Sequence, residues 1–108
     1  MAVDAELHER VRSLLAGDMS ISERAMFGGV AFMCNGNMAV GIINNLLMVR
    51  IGRDQWEDAL LEPHVNEMDF TGRSMKGFVY VMPEGLVGKG LRTWVEAGIR
   101  FAASLPPK

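Results

Sequence analysis

Only one cysteine, Cys34, stands among the 108 residues. It has no partner for an internal disulfide, which fits a reducing compartment and makes the cytoplasm the expected location. An excess of charge of one sign is also lacking: 11 Lys and Arg oppose 13 Asp and Glu, a net charge of −2. The signs are interspersed, so the chain has neither the basic footprint of a nucleic-acid binder nor a polybasic tail for an anionic membrane. No apolar run approaches the roughly 20 residues that span a bilayer. The longest candidate, residues 38–49, is broken by Asn44-Asn45. The first twelve residues carry Asp4, Glu6 and Glu9 and no apolar core, which argues against a signal peptide. The two histidines, His8 and His64, are far apart and have no cysteine nearby at metal-ligand spacing, so neither metal nor cofactor is expected.

What is present suits a globular domain. Hydrophobic residues make up 49% and charged residues 22%, and the length suits one domain over residues 1–108. Residues 4–16 have the helical period, with Leu7, Val11, Leu14 and Leu15 on one side. Residues 23–34 read as one strand distorted at Gly28-Gly29, since adjacent glycines in a strand mark a bulge or a close backbone approach. Asn35-Gly36 is a type I′ hairpin signal leading into 38–43, and Asn44-Asn45 turns the chain back as 46–51. These segments predict a three-stranded antiparallel meander. Residues 53–62 predict a short helix stopped by Pro63, 64–70 an extended segment, and 76–82 a strand in which Phe78 and Tyr80 alternate with Val79 and Val81. A long helix over 88–105 ends before Pro106-Pro107, with Gly98 on its apolar stripe, where a close approach to the sheet would explain it. Helix, meander, short helix, one or two strands and long helix together give an α+β fold.

Met26-Phe27-Gly28-Gly29, Gly36-Asn37, Leu47-Met48-Val49-Arg50, Met75-Lys76-Gly77 with Tyr80, and Trp94 span nearly the whole chain. In these residues the sequence resembles the N-terminal domain of the TfoX/Sxy family, bacterial proteins linked to regulation of natural competence. The resemblance implies a secretion-chaperone-like two-layer architecture with helices mainly on one sheet face. It supplies no catalytic residue. The regulators carry a second, helical domain beyond this one, so a stand-alone domain is the expectation here, and the output of that second domain does not carry over.

Residue chemistry adds little to suggest a reaction. Residues 85–90, Gly-Leu-Val-Gly-Lys-Gly, are too short for a phosphate loop and lack its Ser/Thr. The segment 69–76 holds Asp69, Arg73 and Lys76. A small hydrolase or transferase could use Asp69 as base and Arg73 or Lys76 to hold an anion. The simpler reading is a turn at Thr71-Gly72, an Asp69–Arg73 pair and a lysine guarding a strand edge. Segments 46–51 and 76–82 are apolar on both faces, which a one-sided antiparallel sheet is not. The expectation is therefore a non-enzymatic protein-interaction or regulatory domain. It would act as a homodimer or with a protein partner, through a surface comprising Leu46, Met48, Arg50, Arg73 and Lys76.

Overall fold

The computed structural model describes residues 3–26, 28–70 and 73–108, and for residues 69, 70, 73 and 74 the backbone only. The first helix, α1 (Ala5–Leu15), starts where the Asp4 carboxylate accepts a hydrogen bond from the Leu7 amide at 3.0 Å. That N-cap satisfies one of the amides that an α-helix leaves unpaired at its start. Leu7 and Val11 are its buried residues, as the period required.

Where one distorted strand was expected over 23–34 there are two. β1 (Ile21–Met26) and β2 (Gly29–Cys34) pair antiparallel, with Met26 opposite Gly29. The turn between them holds Gly28 at φ 76°, a left-handed conformation that costs glycine little. Phe27 lies outside the described residues. The two glycines thus do different work, one turning the chain and one admitting a neighbour. A Cβ on Gly29 would collide with the Ile42 carbonyl oxygen. The next strands, β3 (Asn37–Ile43) and β4 (Leu46–Arg50), extend the meander to four. Asn35 (φ 52°) and Gly36 (φ 85°) both take the positive φ that a type I′ turn demands.

From β4 the chain passes through α2 (Arg53–Leu60) to an outer strand, β5 (Val65–Phe70), and returns as β6 (Arg73–Val81) between β5 and β4. The sheet order is β1-β2-β3-β4-β6-β5, and every ladder is antiparallel. A 3-10 turn (Pro83–Leu86) then leads to α3 (Lys89–Ala103). Between Glu67↔Val79 and Asp69↔Ser74 the β5–β6 register shifts, and Gly77 at φ 95° lies in the surplus on β6. Its carbonyl accepts both the Ile51 and Gly52 amides, which holds the start of α2 against β6. The Trp56 indole N–H then donates to the Phe78 carbonyl at 3.0 Å.

All three helices share one layer. Leu7 and Val11 of α1, Ala59 of α2, and Leu91 and Val95 of α3 form one core with Phe32, Val40, Ile42, Leu47, Val49, Val79 and Val81. The register places those sheet residues on a single face. Burying each large aliphatic contributes about 1.5–3 kcal/mol. The bulge expected at the glycine pair occurs instead in β3, where Ala39 has no opposite residue between Phe32↔Val40 and Met33↔Met38. Gly98 of α3 sits against that bulge: a Cβ there would be 2.6 Å from the Ala39 carbonyl oxygen. Helix α3 runs unbroken through Gly98, as the close-approach reading anticipated.

Gly28→Ala is expected to cost about 1–2 kcal/mol through its left-handed backbone. Gly29→Ala is expected to cost more, because its Cβ would meet a backbone oxygen that cannot swing aside. Urea unfolding of the two single mutants measures both, and a larger loss at Gly28 would contradict this ranking.

Candidate interaction surfaces

The face opposite the helices can be read from the register. Across the sheet, Arg24, Ala31, Gly41, Met48, Tyr80 and Asn66 form one row. Ile43 pairs with Leu46 on one side of it, and Met33 pairs with Met38 on the other. Ala31 and Met48 are buried, Tyr80, Ile43, Leu46 and Met38 are half-buried, and Arg24 and Asn66 at the ends are exposed. The face therefore has an apolar centre and polar ends. The three helices contribute their buried residues to the other face, and none of the described helices covers this one.

Met48, at 1% exposure, is beneath this surface and not on it. Its side chain lies flat across the next strand, with Cε 2.7 Å from where a Cβ of Gly41 would stand. The absent side chain at Gly41 is what makes room for it. Leu46 reaches the surface in part. Arg50 is occupied within the fold: its guanidinium carbon is 5.6 Å from the Phe78 ring centre and 5.5 Å from that of Phe101. Cation–π contacts of this kind contribute about 0.5–1 kcal/mol where solvent is near, and they tie the last turns of α3 to the end of β4. Lys76 is exposed. The side chains of Asp69 and Arg73 lie outside the described residues, as does the turn Thr71-Gly72, so the anion-holding loop is not assembled within what is described. Of the expected surface, Leu46, Met48 and Arg50 alternate along one face of β4, with Ile43 opposite Leu46 and Tyr80 opposite Met48.

Residues 85–90 have a packing role. A Cβ on Gly90 would collide with the Gly85 carbonyl oxygen, so the glycine lets α3 begin directly against the 3-10 turn. Cys34 is buried, with its sulfur 3.7 Å from the Ser20 hydroxyl. His8 joins a small polar cluster between α1 and β1: its Nε2 is 2.9 Å from Glu23 Oε1, and Arg12 Nε donates to Glu23 Oε2 at 2.6 Å. The Arg12 hydrogen bond lowers the Glu23 pKa, against a smaller rise from burial, and His8 adds to the lowering. Neither histidine belongs to a metal-binding group among the described residues.

One feature on the helical layer was not anticipated. α2 lies over β6 and β5, whereas α3 lies over β3 and β4, and between the helices runs an open groove of about 390 Å³. Its floor is Ile51, Ala59, Trp94 and Ala97, and Asp58 on α2 and Glu62 just past the helix end line it as well. In the sequence Trp94 was noted as one of the residues that carry the family resemblance. The usable signal was a second pattern on the same helix, Gly90, Thr93, Trp94 and Ala97, spaced three and four apart beside the buried set.

A family model described as the TfoX N-terminal domain matches residues 13–102 of the chain. No curated protein and no solved structure matches the chain. Among the described residues no helix is long and apolar enough to cross a membrane.

Glu23→Gln is expected to lower the melting temperature at pH 7. The folded pKa of Glu23 is depressed, so its contribution is present above the unfolded value of about 4.3 and is lost as pH falls through the lower folded value. Melting scans of the two chains should therefore converge toward acid pH. A gap that stays constant would assign the loss to packing.

Proposed function

Because the chain belongs to the TfoX N-terminal domain family, we propose that it is a non-enzymatic interaction domain that self-associates through the sheet face bearing no helix. The observation that carries this reading is the apolar centre of that face. Ile43, Leu46, Met38 and Tyr80 remain partly exposed there, around the buried Ala31 and Met48. Contiguous apolar surface of this kind is uncommon on a monomer and marks a contact site. A polar rim of Arg24 and Asn66 around an apolar centre is the usual anatomy of such a contact. A two-fold pair, each copy offering the same face, is the commonest way to cover one.

A regulatory output of the kind associated with the family's competence regulators would then be exerted by contact with another chain, not by turnover of a substrate. The alternative, a hydrolase or transferase using Asp69, Arg73 and Lys76, gains no support from the described residues; of the three, only the exposed Lys76 has a described side chain.

Sedimentation across a wide concentration range tests the reading. The wild-type chain is expected to dimerise. The double variant Ile43→Lys/Leu46→Lys is expected to weaken association by about tenfold or more, which is 1.4 kcal/mol, with an unchanged far-ultraviolet circular dichroism spectrum. Met48→Lys is a poor substitute, since it would place a charge in the packed layer. A wild-type chain that stays monomeric throughout would overturn self-association and leave a different protein as the partner.

A further inference from the structure

We infer that the groove between α2 and α3 is a second docking site, for a polypeptide segment that presents apolar side chains flanked by lysine or arginine. Two observations meet there. The floor is apolar and includes an aromatic ring, from Ile51, Ala59, Trp94 and Ala97, and Trp94 is only half-buried, so part of its ring faces the open space. The charges that line the groove are all of one sign: Asp58 stands on α2 and Glu62 just beyond its end, and no lysine or arginine lines it. Neither carboxylate forms an ion pair among the described residues. A segment with apolar side chains alone would leave those carboxylates beside a drying surface without compensation. A segment with an acidic flank would be repelled, and only a basic flank matches both features.

The size selects the same class. About 390 Å³ lies at the low end of the range of roughly 300–1,000 Å³ usual for ligand sites. It suits one or two anchoring side chains better than an enclosed cofactor. Two helices flanking an open apolar channel form the kind of surface on which an amphipathic helix lays its apolar face, and a tryptophan is a favoured anchor at such contacts. This site is on the layer opposite the sheet face of the proposed dimer, so either assignment can fail without the other.

The probe is a helical peptide of leucine and lysine with its leucines on one face, set against a counterpart in which every lysine is glutamate. Amide shifts followed by NMR are expected to move at Asp58, Ala59, Glu62, Thr93 and Ala97 with the lysine peptide, less so as salt rises, and not with the glutamate peptide. The variant Asp58→Lys/Glu62→Lys is expected to bind at least about tenfold more weakly. Both positions are exposed, so the fold should persist; if it does not, Ala97→Leu, which narrows the groove without altering charge, is the second variant and is expected to weaken binding too. The Ile43→Lys/Leu46→Lys chain is expected to bind the lysine peptide like the wild type. Equal binding of both peptides, shifts confined to the sheet face, or no binding would overturn the assignment. Groove shifts that follow protein concentration alone would give the site to a second copy of the chain.

Discussion

The distance between the helical layer and the sheet depends on Gly98. At that point α3 comes so close to β3 that a single added carbon would strike the Ala39 carbonyl. A glycine in a helix interior costs about 1 kcal/mol relative to alanine. The contact it permits sets the long helix directly on the central strands, where Leu91, Val95 and Ala102 are buried. The bulge at Ala39 lies at the same place, so the strand irregularity and the helix glycine are two halves of one fit. With α3 seated there, α2 is left over β6 and β5, and the groove between the two helices is a consequence of that spacing.

Close backbone approach recurs through the molecule. Gly29 admits the Ile42 carbonyl, Gly41 makes room for the side chain of Met48, Gly90 meets the Gly85 carbonyl, and Gly52 leaves space for the Phe101 ring. Such contacts hold the layers tightly at few positions and leave the surrounding apolar residues to fill space, a task methionine does well. Residues that carry the family resemblance take part in the same packing. Gly28 and Gly29 turn and pack a hairpin, Gly77 supports the start of α2, and Arg50 is held between two aromatic rings.

Two surfaces remain whose character exceeds what packing alone requires, and they differ in chemistry. The sheet face is apolar with polar ends and suits a self-complementary contact. The helical groove is apolar with acidic sides and suits a partner of opposite charge. On the two proposals, one layer joins copies of the chain while the other holds a different segment. The overall charge of −2 does not reveal the groove, whose two charged lining residues are both acidic.

Local patterns were sufficient for much of the fold. The helical period of Leu7 and Val11, the Asn35-Gly36 turn, the stop at Pro63 and the alternation in 76–82 each act within a few residues, and each predicted its element. The α+β class followed from their order. The split of 23–34 into two strands was harder to see, because a glycine pair is compatible with both a bulge and a turn. Only the pairing of Met26 with Gly29 distinguishes them. Apolar character on both sheet faces was legible, and so was Leu46 as a surface candidate. The burial of Met48 was not, since it depends on the absent side chain of Gly41 one strand away. The groove was least legible of all: Asp58 and Trp94 are distant in the chain, and their chemistry becomes joint only when two helices are set apart on a common sheet. The sequence by itself thus determined the elements and their apolar faces, because periodicity and turn chemistry are local. Which residues meet across strands and helices was decided by the tertiary structure, because register, bulges and glycine contacts join parts of the chain that no local pattern relates.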